Sequence, residues 1–185
     1  MKKTYAILIL ALVLLIPALA HAWPAKVVEV TDGDTLVVVR LQDGEIMLGE
    51  NGQPVKEKIR LFGIDCPETV YRGRWESQPY SRAATRFVRE LFANSDEVDV
   101  AIWEMGESYG RIVGGVIKLH DGITLQDEIV KAGYGWVDPR YCKVRYPECV
   151  RWIALQKEAQ AARRGLWRDV NPIAPWQWRR GAGDD

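Results

Sequence analysis

Residues Arg60–Glu68 read RLFGIDCPE, and they follow the acidic turn Asp32–Thr35, which reads DGDT, at the distance of two or three β-strands. Together these segments supply a carboxylate-rich turn, an arginine near the end of an apolar strand, and an Asp and a Glu three residues apart. Hard divalent cations are bound by several oxygen ligands, and phosphoryl chemistry uses cationic donors to stabilise developing negative charge. Both kinds of group are present in these two short segments.

A third segment, Tyr109–Arg111, reads YGR and lies downstream of the first two. In this order the three motifs resemble the thermonuclease (staphylococcal-nuclease-like) family, whose signature is D-G-D-T followed by R-L-x-G-I-D-x-P-E. The resemblance extends from about Ala25 to Trp167. It implies a five-stranded OB-like β-barrel and a calcium-dependent enzyme that cleaves DNA and RNA.

The hydrophobic pattern is consistent with an α+β fold. Five segments rich in β-branched residues predict strands, and three segments with helical periodicity or end signals predict helices, without the alternation of a βαβ fold. A small barrel with three packed helices is therefore expected. The predicted strands are Ala25–Val30, Thr35–Leu41, Val55–Phe62, Glu97–Trp103 and Arg111–Leu119, with a turn at Gly106 joining the last two, and the predicted helices are Gln78–Ala93, Thr124–Ala132 and Pro147–Arg164.

The N-terminus has the pattern of a secretory signal peptide. Lys2 and Lys3 precede an apolar run from Ala6 to Ala20, and the small residues of Ala20-His21-Ala22 suit cleavage before Trp23. An uncleaved anchor is the alternative, but the run is shorter than the ~20 residues needed to cross a bilayer. We expect a signal peptide at 1–22, a nuclease-like domain at 23–168, and a Trp- and Pro-containing tail at 169–185 that is extended or partly disordered. The predicted location is secreted or periplasmic, without stable membrane association after cleavage.

The net charge does not by itself indicate a nucleic-acid-binding protein. Removing Lys2 and Lys3 from the 25 basic residues leaves 23 against 25 acidic ones. The distribution is more informative, because arginines concentrate at 70–90 and basic residues at 140–168. Two basic segments on a near-neutral protein, which we expect to be a monomer, fit a local anionic site, and solvated helix faces are the alternative explanation.

Three cysteines are present. Six residues separate Cys142 from Cys149, and export favours an oxidising compartment, so a local disulfide is predicted. Cys66 is then expected to be a buried, unpaired thiol. A zinc site is not expected, because the two histidines are His21, in the predicted leader, and His120.

The resemblance to the thermonuclease family assigns roles to individual residues. Asp34, Asp65 and the backbone carbonyl of Cys66 would hold one Ca²⁺ ion, with Asp32 acting in the second shell through water. Glu68 would be the general base or water-orienting group. A β-turn with solvated carboxylates is the alternative for DGDT alone, and the second motif argues against it.

Arg60 and Arg111 would complete the catalytic set as phosphate clamps, since a planar guanidinium can hold two phosphate oxygens. Tyr109 and Tyr141 are candidate base-stacking or phosphate-contacting residues, with rim packing as the alternative. The sequence departs from the family at Glu107, where Asp is common, and at Asp138-Pro139, where aromatic residues are common.

Three functions remain open on this sequence, and the third of them is a purely structural exported domain. The first is an exported Ca²⁺-dependent endonuclease with low sequence specificity that leaves 3′-phosphate products. The second is a non-catalytic nucleic-acid-binding module with the same fold. The complete set of acidic residues and arginines favours the first, because a binding module does not require all of them.

Overall fold

The computed structural model describes residues 22–69, 76–92, 99–143 and 146–181. The predicted signal peptide, apart from Ala22, lies outside these residues. None of the helices in this part of the chain has the length and apolar composition needed to cross a membrane.

The described residues contain eight strands, and five of these form a closed barrel. The strands are β1 Ala22–Val30, β2 Thr35–Gln42, β3 Glu45–Ile46, β4 Lys56–Leu61, β5 Ile64–Asp65, β6 Asp99–Ser108, β7 Arg111–Lys118 and β8 Trp136–Val137. The barrel strands run in the order β1-β6-β7-β4-β2, and pairing between β1 and β2 closes the barrel. All neighbouring pairs in the barrel are antiparallel except β4 and β7, which are parallel. This closed arrangement confirms the predicted α+β, OB-like architecture.

Helices cover the barrel and close the core. The fully buried Trp152 packs with barrel residues such as Leu36 and Ile59 in one continuous apolar cluster. The described residues form four α-helices, α1 Ser81–Phe92, α2 Leu125–Lys131, α3 Pro147–Ala161 and α4 Pro175–Gly181, and a 3₁₀ turn at Gly165–Arg168.

Local sequence signals explain where two of the helices begin. The side chain of Thr124 accepts a hydrogen bond from the amide of Asp127 and so caps α2. Pro147 occupies the first turn of α3, where its missing amide hydrogen removes no helical hydrogen bond. Both starts agree with the sequence prediction.

Two sequence predictions were wrong. Gly106 does not form the turn between β6 and β7, because β6 continues to Ser108 and Gly106 marks a bulge in the pairing instead. The turn lies at Tyr109–Gly110, where both residues have positive φ angles. The tail is not simply extended either, since α4 forms within it.

The predicted disulfide between Cys142 and Cys149 is present, and Cys66 is a buried free cysteine. The bridge joins the segment after β8 to the first turns of α3.

We expect a thiol reagent to label only Cys66 in the unfolded, unreduced protein, and three labelled cysteines would contradict the pairing. Reducing the bridge should lower the free energy of unfolding by about 2–3 kcal/mol, which denaturant titration can measure, and should affect activity less than stability.

Candidate active site

Strand pairing brings the two acidic motifs together. Thr35 at the start of β2 pairs with Arg60 near the end of β4, and the amide of Leu61 donates to the carbonyl of Asp34. The amide of Cys66 donates to Oδ2 of Asp34 over 2.6 Å. The barrel therefore places the acidic turn directly against the segment that follows β4.

Gly33 allows this close approach. A Cβ atom at Gly33 would lie 2.8 Å from the Cβ of Cys66, closer than side chains pack. The thiol of Cys66 is buried, and burial raises its pKa well above the ordinary value. Cys66 therefore acts as a packing residue between the motifs, as expected of its side chain, while the role of its carbonyl stays a prediction.

Asp34 and Asp65 form the buried centre of the site. Each is only 2% exposed. Arg60 joins them, because its Nη1 donates to Oδ1 of Asp34 and its Nη2 donates to Oδ1 of Asp65 at 2.5 Å. Two carboxylates that contact one guanidinium face a common positive centre, which offsets their mutual repulsion.

The donor chemistry of this pair fits Ca²⁺, which prefers carboxylate and carbonyl oxygens. Within the described ranges, no three His, Cys, Asp or Glu side chains form a metal-binding group. As the resemblance implies, Asp34 and Asp65 would supply two acidic ligands, and they would share their oxygens with the guanidinium groups that contact them.

Glu68 lies beside this pair. Its Oε1 accepts a hydrogen bond from Nη1 of Arg179, and the same nitrogen donates to Oδ1 of Asp65 over 3.2 Å. Burial raises the pKa of the Glu68 carboxyl, the negative charge of Asp65 adds to this effect, and Arg179 opposes it. A carboxylate with a raised pKa accepts a proton more readily, as a general base must.

Arg111 and Asp32 lie at the edge of the site. Val113 pairs with Arg60 across the parallel strands, and side chains two residues apart share a face, so Arg111 is on the same face as Arg60. Burial raises the pKa of Asp32, and the positive charges of Arg60 and Arg111 oppose this rise. Asp32 therefore interacts with both arginines, and its Oδ1 accepts a hydrogen bond from the amide of Asp34 over 3.0 Å.

The two candidate tyrosines occupy different places. Tyr141 is largely exposed and stacks with Arg140, whose guanidinium carbon is 5.5 Å from the ring centre. Nη2 of Arg140 in turn lies 3.8 Å from Oδ2 of Asp65, so Tyr141 is at the rim of the site. Tyr109 is 96% exposed at the tip of the β6–β7 hairpin. Substrate contacts by both tyrosines stay predictions.

The departure from the family at Asp138 has a structural role. Asp138 is buried and accepts hydrogen bonds from the guanidinium of Arg140, which raise the pKa of that arginine. The β5–β8 pairing positions this ion pair, because it places Trp136 opposite Asp65 two residues before Asp138. The pair holds Arg140 next to the acidic centre.

Sequence reasoning missed Arg179. This residue of α4 donates from Nη2 to Oδ2 of Asp65 over 2.6 Å, in addition to its contact with Glu68. Burial acts to lower the pKa of Arg179, but its bonds and charge interactions with the two carboxylates raise it. The only signal in the sequence was a pair of arginines among tryptophans in the tail.

The comparisons with known proteins match this chain to one family and to several relatives. A family model described as "Staphylococcal nuclease homologue" matches residues 58–169. An uncharacterized endonuclease of Escherichia coli is 34% identical over 163 residues, which are 88% of this chain and 89% of that protein. A second uncharacterized endonuclease, from Haemophilus influenzae, is 30% identical over 156 residues, covering 84% of this chain and 72% of that protein.

Plant relatives match over a smaller part of their own length. The probable staphylococcal-like nuclease CAN3 of Oryza sativa subsp. japonica is 34% identical over 125 residues, which are 68% of this chain but 29% of that protein. The chain thus spans less than a third of the rice relative and most of the two bacterial ones.

Proposed function

This chain belongs to the staphylococcal nuclease homologue family, and from that membership we propose that it is an exported, calcium-dependent endonuclease. In this proposal it hydrolyses phosphodiester bonds of DNA and RNA with low sequence specificity and leaves 3′-phosphate products. The observation that supports it most is the convergence of Asp34, Asp65, Arg60 and Glu68 at one buried centre. These groups came from two motifs that are separate in the sequence.

The residues of the centre have distinct tasks in this proposal. Bound Ca²⁺ would supply positive charge to polarise the phosphate. Glu68 orients the attacking water and accepts its proton. Arg60 and Arg111, which share one face of the barrel, bind phosphate oxygens and stabilise the charge that develops on them.

The disulfide supports the proposed export. Disulfides persist in oxidising compartments and are uncommon in the cytosol. The Cys142–Cys149 bridge is thus consistent with the signal-peptide pattern at residues 1–22 and with a secreted or periplasmic location.

A plasmid digestion assay tests the function. The protein purified without residues 1–22 should degrade plasmid DNA and single-stranded RNA in the presence of CaCl₂, and excess chelator should abolish cleavage. End-group analysis should find 3′-phosphates. DNA binding without cleavage would instead identify a non-catalytic module, and cleavage that persists in chelator would rule out the calcium requirement.

Calorimetry tests the two acidic ligands independently of cleavage. Asp34→Ala and Asp65→Ala should each weaken Ca²⁺ binding strongly, because each removes one of the two hard anionic donors. Glu158→Ala is the matched control, since Glu158 is an exposed carboxylate on α3. Equal calcium affinity in all three variants would contradict the assignment.

A further inference from the structure

The C-terminal helix contributes a side chain to the active site across more than a hundred residues of sequence. Arg179 is 111 residues from Glu68 and 114 from Asp65, yet it contacts both. Its side chain is only 21% exposed, which is low for an arginine near the end of a chain. The contact is therefore part of the folded structure and not a surface ion pair.

Gln78 connects the same segment to the backbone of Glu68. The amide of Glu68 donates to Oε1 of Gln78 over 3.0 Å, and the amide of Gln78 donates to the carbonyl of Glu68 over 2.9 Å. The Nε2 amide nitrogen of Gln78 donates to the carbonyl of Ile173 over 2.7 Å. Because Gln78 is 3% exposed, this link is protected from water. The tail segment is thus joined to the backbone of Glu68 through Gln78 and to the side chain of Glu68 through Arg179.

Aromatic packing fixes the position of α4. The ring of Trp176 lies 5.7 Å from that of Trp136, in an edge-to-face arrangement. Trp136 pairs directly with Asp65 in the β5–β8 ladder, and Pro175 at the start of α4 is buried. The helix is therefore docked against the strand pair that carries Asp65, which delivers Arg179 to the two carboxylates.

A general base that acts on water must hold its carboxylate in one orientation. Glu68 has a flexible side chain, and the charge of Asp65 would repel it from the centre. A guanidinium placed between the two carboxylates removes this repulsion, and its rigid fork fixes their separation in a way that a lysine cannot. Arg179 donates its hydrogen bond to Oε1 of Glu68, so the second oxygen of that carboxylate can accept a proton.

We propose that Arg179 is a positioning residue of the active site, whose guanidinium holds the Glu68 carboxylate beside Asp65 in the orientation that activates water. This inference rests on the proposed nuclease function. It assigns the segment Ile173–Arg179 a role in catalytic activity, although that segment follows the last residue matched by the family model.

Arg179→Ala tests the proposal, with Arg180→Ala as the matched control because Arg180 is exposed on the same short helix. Outer-shell partners that orient metal ligands typically contribute about 10–100-fold to metal affinity or activity, and we expect an effect of similar size for a residue that orients the base. The cleavage rate at saturating DNA and calcium should therefore fall about 10–100-fold in Arg179→Ala, with little change in KM, and stay within about twofold of wild type in Arg180→Ala. Arg179→Lys should fall between them and covers the case in which the alanine variant does not fold.

A double-mutant cycle separates positioning from a general structural effect. If Arg179 acts through Glu68, adding Arg179→Ala to Glu68→Gln should cause almost no further loss, since effects of residues that act as a unit are not additive. The calcium-induced rise in Tm should persist in Arg179→Ala, because Asp34 and Asp65 remain.

Several outcomes would overturn the proposal. A rate equal to wild type would show that the contact is dispensable, a faster rate would show that Arg179 blocks the site, and fully additive losses would show a structural role. If wild type and Arg180→Ala also fail to cleave, the nuclease function itself fails, and this inference falls with it.

Discussion

Glu68→Gln should reduce the single-turnover cleavage rate by about 10²–10⁴-fold, the usual contribution of general-base catalysis. Glutamine keeps the size of the side chain and an oxygen that can accept the hydrogen bond from Arg179. The backbone of Glu68 also remains held by Gln78. The substitution therefore removes the proton acceptor with little change in the surrounding structure.

The measurement is single-turnover cleavage at saturating calcium and DNA. Glu90→Gln is the matched control, because Glu90 is an exposed carboxylate on α1. Calcium affinity should be nearly unchanged in Glu68→Gln, since Asp34 and Asp65 are intact. A rate within about threefold of wild type would show that Glu68 is not the base.

The individual strands were predictable from short, local signals, whereas the barrel and the residues of its centre were predictable from the family resemblance that the DGDT and RLFGIDCPE motifs carry. The structure adds the strand pairing, and the register of β2 on β4 places Asp34 beside Arg60. Thr124 and Pro147 mark the starts of α2 and α3 by the same kind of local chemistry. In these segments local preference and tertiary packing agree.

The missed features depend on tertiary contacts. Helix α4 has seven residues, too few to form in isolation, and its stability comes from packing on Trp136. Gly106 predicts a turn because glycine is common in turns, but in the barrel this residue lies at a bulge where the pairing of β6 with β7 shifts register. The contact of Arg179 with Glu68 follows from the docking of α4, so no local pattern could indicate it.

Asp138 illustrates a third case, in which a departure from the family pattern was visible but its consequence was not. The sequence showed an acidic residue where aromatic residues are common. The structure pairs that residue with Arg140 and places Arg140 near Asp65. The role of Asp138 follows from its ion pair with Arg140, and this pair is visible only in the three-dimensional structure.

Arg60→Lys should lower the cleavage rate by about 10²–10³-fold, the usual effect of losing one donor that stabilises transition-state charge, although it preserves the positive charge. Arg60 contacts Asp34 and Asp65 through two different nitrogens of one planar group. A lysine has a single nitrogen and cannot reproduce this two-point geometry for the carboxylates or for a phosphate. Arg111→Lys should show a loss of similar order if Arg111 acts as the second clamp.

Single-turnover rates and DNA affinity should be measured together for these variants, with Arg40→Lys as the control. Arg40 is also a partly exposed arginine on a barrel strand, but its ion pairs are with Glu57 and Glu104, not with the acidic centre. Arg40→Lys should therefore cleave at nearly the wild-type rate. If Arg60→Lys and Arg111→Lys lose only affinity while the cleavage rate is kept, both arginines anchor phosphate without stabilising the transition state. If neither rate nor affinity changes by more than about threefold, the two guanidinium groups have no part in the reaction, and the charge that develops on the phosphate must be stabilised by other groups.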